Sequence, residues 1–380
     1  MADRPESPGG GGDVLRVLAR ATVAAWPMAI AILIALVVGD LLVLSVGQAP
    51  ASVYRLLLEG TWGNAYGLGQ VLYRATTLMF TGMSVALAFK GGMFNIGAEG
   101  QLAAGGFAAG LVGMALPAWF SPIAATALAC AAAASAGGAV AVVPGVLRAR
   151  LGVHEVIVTI MLNFVVLAIL NWVVTAHLHV PETLHLAPVR VGIVPRLSAI
   201  IPALAGSAAN CTLGLAIVTA ALVRWAVRRT RAGFELRAVG LASEAARVAG
   251  MDVARIRMWT FVASGMLAGL GGVNFVLGYK HYYEDGFAAG AGFLGIAVAV
   301  AGGSHPFGVV IAALGFATLA QGGLAIHAVV PKQIADILAA VTMLAVVAAT
   351  RQTRALLTEG LERWTSRRET TSGSTTGQAA

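Results

Sequence analysis

Apolar residues in this chain come in long runs separated by short polar connectors. Ten runs approach the roughly 20 residues that a helix needs to cross a bilayer, with limits near 21–46, 68–89, 99–117, 120–147, 156–176, 199–227, 257–279, 288–303, 306–329 and 334–350. The pattern predicts an all-α polytopic membrane protein of about ten transmembrane segments. The first, fifth, sixth and seventh runs are long and continuous. The third, fourth, eighth and ninth are short or interrupted by Gly or Pro, and are expected to be broken or re-entrant.

Composition agrees. The chain is 58% hydrophobic and 11% charged, against about 25% charged in an ordinary soluble domain. A soluble fold with so few charges could not cover its core. The net charge of +8 does not point to nucleic acid, because the basic residues are mostly Arg and cluster in the gaps between apolar runs, the distribution of cytoplasmic loops. An even number of spans with the N-terminus inside puts 19 of 25 Lys and Arg on the cytoplasmic side; Arg55, Arg74, Arg190, Arg196, Lys280 and Lys332 fall outside. Both termini are therefore expected in the cytoplasm. The expected organisation is a cytoplasmic segment 1–20, a transmembrane region 21–350 with a long basic cytoplasmic loop at 228–257, and a partly disordered tail at 351–380. The first run is too long for a signal-peptide core, and no small-residue cleavage site follows it, so a retained helix is expected. Cys130 and Cys211 lie within apolar runs and read as small buried side chains.

The most unusual stretch is Lys90-Gly-Gly-Met-Phe-Asn-Ile-Gly-Ala-Glu-Gly-Gln101, which sets Phe94, Asn95, Glu99 and Gln101 among glycines between two apolar runs. Backbone freed by a helix break is tolerated at membrane depth only inside protein or beside a cavity. These polar residues read either as a pathway lining or hinge, or as a clasp holding helices together. In the fifth run, Glu155, Thr159 and Asn163 are spaced i, i+4, i+8 and form one polar stripe, again pathway or interhelical bonding; Glu155, near the run's end, also reads as simply solvated. In the basic loop, Ser243 is a candidate N-cap and Glu244 suits a helix start. Gly250 is placed to end that helix, whose apolar residues are Ala245, Ala246, Val248 and Ala249. Such a short helix is unstable alone and makes sense when docked on a partner or lying on the membrane. Tyr279–Asp285 reads as an interfacial tyrosine belt or an external contact. Gly106/Gly110 and Gly265/Gly269 fit G-x-x-x-G helix packing. The pentapeptide at 106–110 recurs at 286–290, a faint echo of an internal repeat. Gly290–Gly295 matches G-x-G-x-x-G but opens a membrane run, which excludes a dinucleotide site. No G-x-x-x-x-G-K-[ST] motif occurs, and neither metal-ligand spacing nor a nucleophile–base pair is visible.

Residues 90–101, together with His154-Glu-Val-Ile-Val-Thr-Ile-Met-Leu-Asn163, Glu235-Leu-Arg-Ala-Val-Gly240, Ser243-Glu-Ala-Ala246 and Gly292-Phe-Leu-Gly-Ile-Ala-Val-Ala-Val-Ala-Gly302, resemble the permease subunits of ATP-binding-cassette importers for nucleosides and simple sugars, within a superfamily that includes ribose and branched-chain amino acid permeases. The resemblance covers about residues 50–350. It implies a multi-pass protein of the bacterial inner membrane, two ATPase subunits that bind ATP and Mg, a second permease subunit (identical or paralogous) and an extracytoplasmic solute-binding protein. It implies a coupling helix within 240–250, with Glu235, Gly240, Ser243, Glu244, Ala245, Ala246, Arg247 and Gly250 on the ATPase side. Phe94, Asn95, Glu99, Gln101, Thr159 and Asn163 become substrate-pathway candidates. It implies no cofactor bound by this chain, no catalysis and no nucleic acid. Two rival classes stand beside it. An ion-coupled transporter or channel would need an embedded ionisable relay drawn from Asp40, Glu99, Asp336, Glu155 and Glu244. A membrane enzyme or scaffold would need convergent catalytic groups or partners without transport.

Overall fold

The computed structural model describes residues 33–349 except 35, 328, 332, 335, 336, 338, 339, 342, 343, 346 and 347. The expected segments 1–20 and 351–380, the first part of the run 21–46 and Asp336 lie outside the described residues. The chain forms two compact units, Ala51–Lys332 and Met1–Pro50 with Gln333–Ala380. The second contains helix α1 (Leu36–Ser45). The first carries, in order, α2 (Pro50–Glu59, beginning at the boundary), α3 (Ala65–Lys90), α4 (Ala98–Ala115), α5 (Pro122–Leu151), α6 (Glu155–Val173), α7 (Thr212–Arg229), α8 (Arg231–Leu241), α9 (Ser243–Val248), α10 (Val253–Phe275), α11 (Ala291–Ala301) and α12 (Pro306–Ile326). Extended pairing among the described residues is limited to isolated bridges such as His185–Glu284 and Arg196–Asn210.

Among the described residues five helices are long and apolar enough to cross a membrane: α3, α5, α6 with its π-turn to Leu178, α10 with its π-turn to Lys280, and α12; α1 and α2 taken as one broken span make a sixth. The expected shortness of the third and eighth runs is met by α4 with 18 residues and α11 with 11. The fourth and ninth runs are continuous, contrary to expectation. α5 runs through Pro144 for 30 residues. In α12, Pro306 sits at the helix start, where a missing N–H costs nothing. The sixth run is shorter than its hydrophobicity suggested: 3₁₀ turns at Leu197–Ala199 and Pro202–Leu204 precede the 18-residue α7.

α3 and α10 form the centre. In each, 72% of the most apolar window is buried, against 17% in α6. α6 turns Ile157, Met161, Phe164 and Trp172 outward, the apolar face a lipid-facing helix needs. α10 packs on α5 backbone to backbone: a Cβ at Gly265 would overlap the Gly137 carbonyl, and one at Gly269 the Ala133 carbonyl. This is the close approach that small residues at four-residue spacing permit. Gly106 similarly admits the Phe287 ring at 2.6 Å from its would-be Cβ.

The Tyr279–Asp285 stretch is not simply an interfacial belt. Tyr283 is 1% exposed and meets Phe107 and Phe287 edge-on, with centroids 5.3 and 5.5 Å away. Its backbone carbonyl accepts from Leu186 N–H at 2.9 Å, so the stretch pins the loop after α6. Burial, reinforced by Asp285, holds the Tyr283 hydroxyl well above the usual tyrosine range. Nor does the pentapeptide echo mark a repeat. Residues 106–110 lie inside α4, whereas 286–290 form a turn with Gly286 and Gly290 at φ of 73° and 84°. Cys130 and Cys211 are free and half-buried, at the edge of the cluster around Tyr283.

Candidate functional site

The break between α3 and α4 brings together residues of α3, α4, α6, α8, α10 and the start of α11. α3 starts with Asn64 capping Gly67 N–H at 2.6 Å and stops at Gly91 and Gly92; Gly92 has φ of 70°. A Cβ at Gly92 would sit 3.2 Å from Gly240 Cα, so the break rests directly on α8. Seven residues, 91–97, then run without α-helix before α4 begins at Ala98.

Side chains from four helices replace the lost backbone partners. Asn163 on α6 accepts from Gly100 N–H at 2.9 Å and donates to Ile96 C=O at 2.9 Å. Asn95 and Gln101 form a double amide pair at 2.8 and 3.2 Å. Asn95 also donates to Ser264 Oγ on α10 at 2.8 Å and accepts from Gly97 N–H at 3.0 Å. Ser264 in turn donates to Ser84 C=O on α3 at 2.7 Å. Glu99 points to the start of α11, its two oxygens accepting from Gly290 N–H at 2.8 Å and Gly292 N–H at 2.7 Å. The glycines of the G-x-G-x-x-G match thus direct their amides to an internal carboxylate at the positive end of a helix. A Cβ at Gly292 would overlap the Glu99 backbone.

Asn95, Gln101 and Thr159 are fully enclosed, Asn163 is 2% exposed and Glu99 5%. Thr159 donates to its own helix at Glu155 C=O, 2.8 Å away, while its face packs beside Gly97. Phe94 differs: it is 40% exposed, its ring 4.5 Å from that of Phe89. The stripe Glu155–Thr159–Asn163 therefore faces inward, as its spacing required. Glu155 is enclosed rather than solvated, with Arg148 Nε 3.2 Å from its carboxylate and Phe94 N–H 3.4 Å away. Interhelical bonds in membranes contribute only about 0.6 kcal/mol each, but an unsatisfied amide there costs several kcal/mol. The network's chief role is thus to let a helix break exist at depth.

A second buried network joins the same two central helices. Asn274 on α10 donates to Tyr73 C=O at 2.9 Å and Thr77 Oγ1 at 2.8 Å on α3. It accepts from Asn210 at 2.9 Å and Thr212 at 2.8 Å. Sequence reading missed Ser84, Ser264, Asn274 and Asn210; the available signal was a lone amide or hydroxyl inside an apolar run.

The basic loop folds as α8 and α9, an element at the Lys90 end of α3. Thr230 caps α8 by accepting from Gly233 N–H at 3.1 Å. A Cβ at Gly240 would overlap Lys90 C=O, so α8 needs glycine there. Glu235 pairs with Arg231 at 2.8 Å. α9 begins at Ser243 itself, with Ala242 in the cap position and no side-chain cap, so Ser243 is a helical residue rather than the expected N-cap. Glu244 and Arg247 pair on the surface at 3.3 Å. Gly250 ends the turn at φ of 82°, with Met251 N–H returning to Ala246 C=O at 3.0 Å, as expected of a C-terminal glycine. Ala246 packs inward against Val239 and Val253, while Ala245 and Ala249 are exposed. Leu241 and Val248 are 88% and 91% exposed.

No solved structure matches the chain. Among known proteins it is 36% identical over 327 residues to the guanosine ABC transporter permease protein NupP of Bacillus subtilis, covering 83% of this chain and 90% of that one. It is 33% identical over 343 residues to the glucose ABC transporter permease protein TsgB13 of Haloferax volcanii, covering 86% and 88%. It is 32% identical over 299 residues to the nucleoside ABC transporter permease protein NupB of Lactococcus lactis, covering 77% and 82%. The family model described as branched-chain amino acid transport system / permease component matches residues 67–347, a span that contains both buried networks and the α8–α9 element, and the chain belongs to that permease family.

Proposed function

We propose that this chain is the membrane permease subunit of an ATP-driven importer for nucleosides or related small polar solutes, switching between outward- and inward-open states as partner ATPases close. The observation that carries this reading is α9. It is a six-residue helix, too short to hold itself, yet braced through Ala246 on Val239 of α8 and Val253 of α10. Val248 on α9 and Leu241 at the end of α8 are exposed, which fits insertion into a groove on another protein. Because α9 packs on α8 and α8 touches Gly92, force on α9 reaches the break between α3 and α4 through α8, the kind of bistable element a switch requires.

In this reading the ten apolar runs are ten spans with both termini cytoplasmic, in the bacterial inner membrane. The partners are two ATPase subunits holding ATP and Mg, a second permease subunit and an extracytoplasmic binding protein. Phe94, Asn95, Glu99, Gln101, Thr159 and Asn163 shape the pathway by controlling the break. The guanosine and nucleoside permeases among the relatives favour nucleosides as cargo; the glucose permease keeps sugars within the class. Glu99, the strongest candidate for an ion relay, already accepts two backbone hydrogen bonds, which favours ATP over an ion gradient.

The test is Leu241→Glu with Val248→Glu. Both sites are exposed, so thermal stability in detergent changes by less than about 1 kcal/mol, whereas ATP-dependent uptake falls at least tenfold. Uptake unchanged in the double variant, or driven by a proton or sodium gradient without ATPase subunits, overturns the proposal.

A further inference from the structure

The end of α5, α9 and the start of α10 enclose a cleft of about 370 Å³, within the roughly 300–1,000 Å³ of small-ligand sites. Its walls include Ala149 on α5, Arg247 on α9, Asp252 before α10, and Val253, Ala254 and Arg257 on α10. The clasp around Asn95 and the exposed Leu241 and Val248 take no part in it.

Two guanidiniums share this cleft. Arg247 is the more open, with its side chain 64% exposed, and pairs with the equally accessible Glu244 at 3.3 Å. An exposed pair of this kind contributes little, so another anion can replace Glu244. Arg257 lies deeper. It is half-buried, on the face of α10 that carries the enclosed Phe261 and Ser264 one and two turns on. Its Nε is enclosed and, among the described residues, has no hydrogen-bond partner. A buried charged donor left unmet is costly. Arg148, beside Ala149 in the chain, differs because Glu155 lies 3.2 Å from its Nε. Asp252 brings a carboxylate to the cleft, but that group already accepts from Arg255 N–H at 3.0 Å. Val253 and Ala254 open the 23-residue α10, so the helix's positive end lies on the same side. Two guanidiniums and a positive helix end suit an anion with several acceptor oxygens, and phosphate matches the guanidinium fork.

Depth decides which phosphate. Arg257 stands 23 residues before Lys280, along α10 and its π-turn, or about 34 Å at the helical rise. The hydrocarbon layer is about 30 Å thick. With Lys280 at one membrane surface, Arg257 comes level with the head groups of the other. Leu151 and Trp259, each two residues from a cleft residue, are exposed, as apolar and aromatic side chains at a bilayer interface are. A basic cleft between spanning helices at head-group level is the arrangement that holds an acidic lipid. We propose that the α5–α9–α10 cleft binds the phosphate of an anionic phospholipid through Arg257 and Arg247. The phosphate takes Glu244's place on Arg247 and gives Arg257 Nε an acceptor. It links α9 to α10 and so steadies the six-residue α9. The site is independent of what the chain carries.

The test titrates the full-length chain in detergent with phosphatidylglycerol, phosphatidylcholine or inorganic phosphate, and the lipid-free thermal midpoint of each variant shows that it is folded. Phosphatidylglycerol is expected to raise the midpoint saturably and to slow amide exchange at 243–250; phosphatidylcholine, whose choline cancels the charge, does neither. Arg247→Gln with Arg257→Gln weakens phosphatidylglycerol binding about twentyfold, and Arg247→Gln alone, at an accessible position that does not threaten the fold, about fivefold. Arg255→Gln, exposed on the same helix and outside the cleft, leaves binding unchanged. Equal effects of the two lipids, or equal binding by the wild type and the double variant, overturn the inference. Inorganic phosphate as effective as the lipid at equal concentration assigns a free-phosphate site and overturns the lipid one. Lipid binding unchanged in the double variant while ATPase subunits no longer bind assigns the cleft to a protein carboxylate and also overturns it.

Discussion

Among the described residues Glu99, Glu155 and Glu244 each stand in the first turn of a helix, and Glu99 and Glu244 have opposite environments. Glu99 is 5% exposed and accepts from two amides of α11. Glu244 sits in the first turn of α9 with its side chain 77% exposed, against Arg247. The first belongs to a region where every polar group must find a protein partner; the second belongs to a region where water serves as well. A polar residue's structural weight here follows from access to water, not from residue type.

The comparison breaks most sharply at Asn163. Asn163→Leu strands Gly100 N–H and Ile96 C=O in an enclosed site and is expected to cost about 3 kcal/mol, read as a lowered melting midpoint in detergent and reduced membrane abundance. An unchanged midpoint means the break does not depend on the clasp. Glu99→Ala should cost about 2 kcal/mol, while Glu99→Gln, which keeps one acceptor, costs less than about 1 kcal/mol; equal losses would assign the effect to shape rather than hydrogen bonding. Within the water-exposed region, Ala246→Glu buries an unpaired charge under α9 and should lose about 1–2 kcal/mol of local stability, seen as faster amide exchange at 243–250 with the rest of the bundle protected. The smallest effect is Glu244→Gln: below about 0.5 kcal/mol, with no measurable shift in midpoint. A large shift there would show that α9 leans on its surface ion pair.

The inward stripe of α6 and the glycine break after Lys90 were legible because they are periodic or compositional, and both express local geometry. The G-x-x-x-G packing of α10 on α5 was legible for the same reason. The choice between hinge and clasp at Asn95 and Asn163 was not, since it depends on hydrogen-bond partners up to 169 positions away, as between Asn95 and the Ser264 hydroxyl. The inward turn of Ala246 and the shift of the α9 cap to Ala242 escaped for a related reason. In a six-residue helix, tertiary contacts to Val239 and Val253 outweigh the capping preference of one serine. Tyr283 was misread because tyrosine suits both a membrane interface and a core, and only the loop folded over it decides.

By itself, then, the chain's apolar spacing determined that this is a helical membrane protein, that a glycine break follows Lys90, and which face of α6 turns inward, because a bilayer penalises every exposed polar group and periodicity reports which face escapes it. Tertiary structure alone decided which buried amides satisfy the break, which apolar side chains of the α8–α9 element stay uncovered, and that Arg74 on α3 reaches Gln321 on α12. Those outcomes rest on pairings between residues distant along the chain, which spacing within one helix cannot encode.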